Sequence, residues 1–385
     1  RPGMTALVGR GDSPDHETYE GKPYYWKVDT AGNQLPYYDK VIVYIIQSPE
    51  LITTRLIAGE LDFVGHNTML KNMELYKENL EAANMRIELW DSTLGSAVLF
   101  EPNQTDQDPE LRELFQNKSV RFALSMGLDR EEINDAIHFG LGEPRQWALW
   151  PNSKYYQEGD EAHYAEYDPD RANELLDEAG YDTKDDQGYR LFPSGKRVGW
   201  VMMYDPEQGD IPATLELAIP MWKDLGIEIK IKPINRELLN ERYAANELHM
   251  PTWQGDVASD ILWPNAAKAV IPGRANVSWC RAWEVWLWEK GQYPELEEEP
   301  PDWVKGLKED LVEFNRTVDE QERIKIARSM WDTFYEYLPA FGTCGLPQAI
   351  VLKQNFRNFP EEGIWGFACI RAVPVHPEQF FLKQT

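Results

Sequence analysis

Basic residues are scarce in this sequence relative to acidic ones. Its 385 residues include 39 Lys and Arg against 65 Asp and Glu, which gives a formal net charge of -26. A surface with this charge repels phosphate backbones and anionic lipid head groups. The composition therefore argues against nucleic acid and membrane surfaces as partners, and it favours a soluble protein that we expect to be a monomer.

Long hydrophobic runs are also missing. The run from Val41 to Ile46 is among the longest, whereas a helix that crosses a bilayer needs about 20 apolar residues. The chain opens with Arg1-Pro-Gly-Met and continues into polar sequence, so it shows no signal peptide. These features fit either a cytoplasmic protein or a mature or cropped product, and the residues alone leave both open.

Cysteine is rare, with three residues at positions 280, 344 and 369. Their spacing fits no C-x-x-C metal or redox pattern. An oxidising compartment could pair Cys344 with Cys369 and leave Cys280 over. Three buried thiols are the other interpretation, because unpaired cysteine behaves as a small hydrophobic residue.

Metal-binding and catalytic motifs are absent. None of the six histidines stands at ligand spacing from another histidine, a cysteine or a carboxylate. The sequence has no G-x-S-x-G, Walker A or G-x-G-x-x-G motif. We therefore predict no metal, no cofactor and no enzymatic activity. The alternative is a secreted glycoside hydrolase that uses Asp256 and Asp260 as an acid and base pair.

The order of periodic segments predicts an α/β fold. Asp39 to Ile46 is typical of a buried strand. Residues 198–254 follow the order β-α-β-α-β, with strands expected at 198–204, 227–234 and 249–253. Because such crossovers usually join neighbouring parallel strands, we expect these three strands to lie side by side.

The segment after the third strand is the best candidate for a binding site. It is rich in tryptophan and aspartate and leaves the expected carboxyl end of a parallel strand, where ligands of open α/β sheets tend to bind. Tryptophan can stack on a sugar ring or an apolar group, while aspartate accepts hydrogen bonds or pairs with an ammonium group. Equally, the aromatic rings could pack beneath the loop and the aspartates could cap turns. The residues concerned are Trp253, Asp256, Asp260 and Trp263.

Four segments together resemble the extracellular solute-binding proteins of family 5, which serve oligopeptide, dipeptide, nickel and some oligosaccharide importers. Lys22–Pro36 resembles the N-P-x-Y-W segment of the family, and Tyr38–Phe63 resembles its strand, helix and A-G-E-x-D-F unit. Asn117–Glu132 is similar to the family's V-R-x-A-x-x-x-A-x-D-R-E stretch. Tyr167–Tyr181 (YDPDRANELLDEAGY) is very close to Y-D-P-x-x-A-x-x-L-L-x-E-A-G-Y.

This resemblance implies a two-lobed, type II periplasmic-binding-protein-like fold with mixed sheets and a hinge, which closes over a buried ligand. Residues 1–100 would form part of the first lobe and the strands leading to the hinge. Residues 101–345 would form the second, ligand-binding lobe, and residues 346–385 would return to the first. By the same resemblance, a missing N-terminal segment leaves the first lobe incomplete and would carry the signal and any lipid anchor.

The resemblance also implies a function and a set of site residues. The chain would be a periplasmic or extracellular protein that delivers an oligopeptide or oligosaccharide to the permease of an ABC importer. Trp253-Gln-Gly-Asp256 matches the family's W-x-x-D, which implies a pocket wall and a polar anchor, whereas Arg236 stands where a pocket tryptophan is frequent. Glu298–Lys305 resembles a subgroup that includes sugar ligands. The predicted ligand-binding residues are Trp253, Asp256, Asp260, Trp263, Arg236, Asn276 and Trp279.

Overall fold

The computed structural model describes residues 5–256, 258–260, 263, 270–272, 279–366 and 376–384. The chain divides into two compact units, Arg1–Ser92 with Pro347–Thr385 and Thr93–Leu346. We refer to them as unit 1 and unit 2. Assignment of the three predicted stretches to two lobes stays a prediction.

Unit 1 begins with a three-stranded antiparallel sheet of β1 (Leu7–Asp12), β2 (His16–Gly21) and β3 (Lys40–Tyr44), in that order. The strand expected between Asp39 and Ile46 forms, but the prediction that it is buried is wrong, because four of its five residues are exposed. β3 is an edge strand of a small sheet. A continuous apolar run predicts a buried strand correctly only where other elements cover both faces of that strand.

A helical layer and two more strands complete the first part of unit 1. Ser48 accepts a hydrogen bond from the Leu51 amide at 3.3 Å, and Pro49 opens the helix behind this cap. The packed side chains of Leu56, Tyr76 and Met85 join the helices to the sheet. The elements are α1 (Pro49–Ile57), β4 (Phe63–Val64), α2 (Met73–Asn79) and β5 (Met85–Ser92).

Unit 2 opens with a buried strand and a helical block. Two of its helices have the aspartate caps that the sequence predicts: Asp129 accepts from the Glu132 amide at 2.9 Å, and Asp168 accepts from the Arg171 amide at 2.8 Å. The elements are β6 (Ser96–Phe100), α3 (Pro109–Gln116), α4 (Lys118–Met126), α5 (Arg130–His138), β7 (Glu143–Pro144) and α6 (Pro169–Glu178).

The β-α-β-α-β segment forms in the predicted order: β8 (Gly199–Tyr204), α7 (Ile211–Asp224), β9 (Glu228–Pro233), α8 (Arg236–Ala244) and β10 (Thr252–Gly255). β8 and β9 are parallel neighbours, as expected. The prediction that the third strand joins them is wrong, because β10 pairs antiparallel with β6 and places Trp253 opposite Leu99.

The last part of unit 2 covers β6 and builds a large aromatic core. β11 (Phe341–Gly342) pairs antiparallel with the same β6 residues, Leu99 and Phe100, while β12 (Cys344–Gly345) pairs with β7. The core is dominated by buried tryptophan, tyrosine and phenylalanine from the helices and from the segments around residues 147–155 and 263. The elements are α9 (Arg281–Trp288), α10 (Asp302–Arg316), α11 (Glu320–Tyr337), β11 (Phe341–Gly342) and β12 (Cys344–Gly345).

The chain then returns to unit 1 with β13 (Gln348–Lys353), β14 (Phe356–Arg357), β15 (Ile364–Trp365) and β16 (Phe381–Leu382). β13 lies between β5 and β4 and is antiparallel to both, whereas β15 is parallel to β5. This sheet is therefore mixed. β14 pairs with β16.

The cysteines are consistent with either interpretation of the sequence. Cys280 and Cys344 are fully buried in unit 2. Burial raises the pKa of the Cys344 thiol to about 12. Cys369 lies outside the described residues, so its pairing with Cys344 stays a prediction.

Candidate ligand-binding site

The parallel strands β8 and β9 bring the first residue of α8 next to the loop that follows β8. The Ile234 amide donates to the Tyr204 carbonyl at 2.9 Å, which joins the two strand ends. Asn235 then caps α8 by accepting from the Leu238 amide at 2.9 Å, so α8 begins with Arg236. Loops at the carboxyl edge of parallel strands commonly hold ligands.

Arg236 lies over the ring of Trp253. The guanidinium carbon is 3.8 Å from the centre of the indole ring, and both side chains are half-buried. We call Arg236 and Trp253 the stacked pair. Such a cation–π contact stabilises by about 0.5–2 kcal/mol, depending on how dry it is. Burial lowers the pKa of Arg236, while the carboxylate of Asp205 acts in the opposite direction. The stacked pair therefore presents one planar, charged surface.

Two amide side chains lie beside the stacked pair. Arg236 Nη1 donates to Gln208 Oε1 at 3.3 Å. The loop that carries Gln208 is closed by Asp205, which accepts from the Glu207 amide at 3.0 Å. Gly209 follows with a φ of +51°, and a Cβ at this position would lie 2.9 Å from Gln254 Nε2. Gln208 thus contacts the stacked pair through Arg236, and the amide of Gln254 lies against the loop that carries Gln208.

The end of β10 is fixed on the core of unit 2. The Gly255 carbonyl accepts from Trp147 Nε1 at 3.0 Å and from the Gly95 amide at 2.9 Å. A Cβ on Gly255 would overlap Trp147, so only glycine allows this close approach. The half-buried Asp256 follows directly. Trp253 and Asp256 therefore project from a rigidly held strand end.

Asp260 has partners within the chain. Ser153 Oγ donates to Asp260 Oδ1, and the Lys154 amide donates to Asp260 Oδ2 at 3.3 Å. Both carboxylate oxygens thus hold the turn at residues 153–154. This arrangement matches the interpretation in which an aspartate of this segment fixes a turn.

Two predicted tryptophans lie in the core of unit 2. Trp263 is fully buried, with its ring centre 5.5 Å from that of Phe314 and 5.8 Å from that of Trp331. Trp279 is also fully buried and stacks on Trp303 at 5.5 Å. These two side chains are placed as core residues, so the structure gives no support to their predicted contact with a ligand. Asn276 lies outside the described residues.

The structure thus brings together only part of the predicted set, and it adds residues that sequence reasoning missed. Trp253 and Arg236 touch, and Asp256 follows the same strand end. Gln208 and Gln254 were not predicted. The signal for Gln208 was the turn Asp205-Pro-Glu-Gln-Gly directly after a strand of a parallel pair, which the sequence shows.

Among the described residues, no group of three or more His, Cys, Asp or Glu side chains is arranged to hold a metal ion. Within the described segments, no helix is both long and apolar enough to cross a bilayer.

Comparison with known proteins identifies the family. A model of the bacterial extracellular solute-binding proteins, family 5 (middle part), matches residues 13–265, which is more than half of the chain. The chain belongs to this family. Family 5 proteins are extracytoplasmic binding proteins, and the relatives described below are likewise named as binding proteins.

Individual relatives of this family 5 protein differ in ligand. The periplasmic alpha-galactoside-binding protein of Rhizobium meliloti (strain 1021) is 23% identical over 360 residues, which is 88% of this chain and 49% of the relative. A solved oligopeptide-binding protein OppA is 30% identical with a TM-score of 0.75, over 99% of this chain and 62% of OppA. The periplasmic binding protein MelB of Agrobacterium fabrum C58, solved with stachyose, is 19% identical with a TM-score of 0.77, over 99% of this chain and 57% of MelB.

These similarities confirm the predicted fold class, an α/β type II periplasmic-binding-protein fold with mixed sheets. They also confirm the resemblance that the four sequence segments indicated. The chain spans about half the length of the alpha-galactoside-binding protein and about a third of the length of other curated relatives that it matches.

Proposed function

We propose that this chain is the substrate-binding component of an ABC importer and that it captures an oligosaccharide for delivery to the permease. Capture is reversible and involves no chemical step. The proposal includes closure of two lobes over the ligand and action as a monomer outside the cytoplasm. Family membership supports the general role, and the edge of β8, α8 and β10 supports the choice of ligand.

The observation that carries the choice is the partly exposed ring of Trp253 beside Arg236, with the amide of Gln208 bonded to Arg236 and the amide of Gln254 against the loop that carries Gln208. A sugar offers a flat apolar face bordered by hydroxyl groups. Trp253 suits the face, and side-chain amides both donate to and accept from hydroxyl groups. Ligand sites commonly combine an aromatic wall with a few such polar groups.

An oligopeptide is the second candidate. Asp256 is half-buried directly after the fixed end of β10 and matches the W-x-x-D pattern. A carboxylate there could pair with the charged amino terminus of a peptide. The similarity to an oligopeptide-binding protein at 30% identity supports this alternative. The nearby guanidinium of Arg236 weakens it, because a fixed positive charge disfavours a second cation.

A glycoside hydrolase built on Asp256 and Asp260 has less support. Asp260 uses both of its carboxylate oxygens to hold residues 153 and 154. A catalytic carboxylate has to reach the glycosidic oxygen, the anomeric carbon or a water molecule. The relatives above are all described as binding proteins.

The experiment is isothermal titration calorimetry with two panels, neutral and acidic oligosaccharides in one and tri- to hexapeptides in the other. Mass spectrometry of the recovered ligand follows each titration. Saturable binding of an oligosaccharide that is recovered intact supports the proposal. Binding of peptides alone favours the second candidate. A cleaved sugar, or no binding in either panel, contradicts capture of an oligosaccharide.

A further inference from the structure

Arg236 occupies the position at which the family resemblance leads us to expect a pocket tryptophan. In this chain the position is the first residue of α8, and its guanidinium lies 3.8 Å from the ring centre of Trp253. A planar, permanently charged group thus replaces a neutral aromatic ring beside the residue that matches the ligand wall. Such a replacement changes which ligand atoms can be bound.

The guanidinium of Arg236 lies over the Trp253 ring and keeps N–H donors that the described residues do not engage. The N–H groups of arginine all point outward in the plane of the guanidinium, so a ring beneath that plane does not engage them. Arg236 has five N–H donors, and one of them, on Nη1, is within hydrogen-bond distance of Gln208 Oε1. Among the described residues, Arg236 forms no salt bridge, and the carboxylate of Asp205 acts on it only electrostatically, from outside hydrogen-bond distance. The group is therefore half-buried, charged and incompletely paired within the described part of the chain.

Two fully buried arginines of unit 2, Arg121 and Arg190, are more completely paired. Arg121 donates to the carbonyls of Tyr337 and Phe115, and Arg190 donates to Asp177 and Asn173. These arginines hold the chain together. The guanidinium of Arg236 instead lies beside the loop that follows β8, next to the partly exposed Trp253.

We infer that Arg236 binds a carboxylate of the ligand and that the ligand is an acidic oligosaccharide containing a uronic acid. This inference rests on the proposed function. A guanidinium edge and a carboxylate form two parallel hydrogen bonds, which fix orientation as well as add affinity. With Trp253 under the sugar ring, the carboxylate of a neighbouring uronic acid would lie against that edge. The negative net charge of the protein repels an anionic ligand, and a local positive charge at Arg236 would offset that repulsion.

The test uses matched ligand pairs that differ only in the acidic group. Oligogalacturonides and other uronic-acid oligomers of two to four units are each compared with the neutral oligomer of the same linkage by calorimetry. For the unaltered protein we expect at least roughly tenfold tighter binding of the acidic member in at least one pair, which is the usual effect of a hydrogen bond to a charged group. Equal or weaker binding of the acidic member in every pair overturns the inference.

Substitutions at Arg236 separate charge from geometry. Arg236→Gln removes the charge, and we expect it to abolish the preference for the acidic oligomer, measured as the ratio of the acidic to the neutral affinity in the same variant. Arg236→Trp restores the ring expected from the family resemblance and should have the same effect. Arg236→Lys keeps the positive charge but loses the planar group that can form two parallel hydrogen bonds with a carboxylate, so part of the preference should remain. An unchanged preference in Arg236→Gln shows that another group binds the carboxylate, and it contradicts the inference.

Arg197→Gln is the matched control. Arg197 also stacks on an aromatic ring, at 4.4 Å from Tyr189, but it already pairs with Asp185 at 2.7 Å and Glu228 at 3.0 Å. We expect this variant to keep the preference for acidic ligands. If neutral oligosaccharides bind and no acidic preference exists, this inference fails while the proposed function stands. If no oligosaccharide of either kind binds, the proposed function fails with it.

Discussion

The guanidinium carbon of Arg236 lies 3.8 Å from the ring centre of Trp253, although the two residues belong to different elements, the start of α8 and the strand β10. This contact joins the loop edge of the parallel pair β8 and β9 to the strand pair β6 and β10. It also places the matched tryptophan of the W-x-x-D pattern where one face is covered by a cation. The predictions below start from this arrangement.

Trp253→Ala should weaken ligand binding by roughly tenfold or more, because it removes the aromatic face of the site. The free energy of unfolding should fall as well, but by less than for a fully buried tryptophan, since the side chain is partly exposed. Calorimetry and urea denaturation measure the two effects. The matched variant is Trp263→Ala, whose side chain is fully buried and whose loss should cost about 3–5 kcal/mol of stability. Unchanged affinity in Trp253→Ala would remove this residue from the site.

Gly255→Ala should destabilise unit 2 by about 1–3 kcal/mol, because the new Cβ would overlap Trp147 and lie 2.9 Å from Ser96 Cβ. Ligand affinity should fall as well, since Asp256 leaves the strand at this point. The control is Gly306→Ala within α10, where a Cβ meets nothing within 4 Å. That change should stabilise by about 0.5–1 kcal/mol. Thermal unfolding of both variants measures these changes in stability. A Gly255→Ala variant as stable as the unaltered protein would show that the end of β10 is not tightly packed.

Glu101→Gln should stabilise the protein at neutral and higher pH. Burial first, and then the nearby charge of Glu284, raise the pKa of Glu101 from its ordinary 4.5 to about 8. Below pH 4.5 the carboxyl is protonated in both states and costs nothing. As the pH rises from 4.5 to 8, the unfolded state alone loses the proton, so stability falls across this window.

The measurement for Glu101 is urea denaturation at pH 5, 7 and 9. Glu101→Gln should remove this loss, which at pH 7 is on the order of a few kcal/mol. Glu174→Gln, at a well-exposed position, should leave the pH profile as it is. A profile that is the same in Glu101→Gln and the unaltered protein would mean that Glu101 ionises normally.

His249 should titrate above its ordinary range. Its Nδ1 lies 2.7 Å from Asp106 Oδ2, and this hydrogen bond raises the pKa of the imidazole above 6.5 despite partial burial. The stabilisation from this pair is complete below pH 6.5 and is lost as the pH rises through the higher, folded-state pKa. NMR titration of the imidazole should give a midpoint above 6.5, and Asp106→Asn should lower it. A midpoint that Asp106→Asn does not move would exclude the pair as its cause.

Local patterns in the sequence were sufficient to predict much of unit 2. The helix caps at Asp129 and Asp168 involve residues only three positions apart. The alternation of β8, α7, β9 and α8 follows from the periodicity of consecutive segments of the chain. The partner of β10 could not be read in the same way. β10 pairs with β6, which lies about 150 residues earlier in the chain, and pairing at such a distance depends on the fold of everything between.

The site was predictable in part for the same reason. Trp253, Asp256 and Arg236 could be chosen from the sequence because they follow or depart from a family pattern. Their contacts could not, because the Arg236–Trp253 stack requires the loop edge of β8 and β9 to meet β10. The solvent exposure of the two tryptophans could not be predicted either. Trp253 and Trp263 lie in the same segment of the sequence, but Trp253 is partly exposed and Trp263 is fully buried.

The central claim is that an oligosaccharide binds against the exposed face of Trp253. The most direct measurement is fluorine NMR of the protein labelled with 5-fluorotryptophan, in which Trp253→Phe, Trp263→Phe and Trp279→Phe assign the three resonances. On saturation with the tightest-binding oligosaccharide, the account predicts a large shift for Trp253 and small shifts for the buried Trp263 and Trp279. A Trp253 resonance that stays in place while the ligand is bound would contradict it.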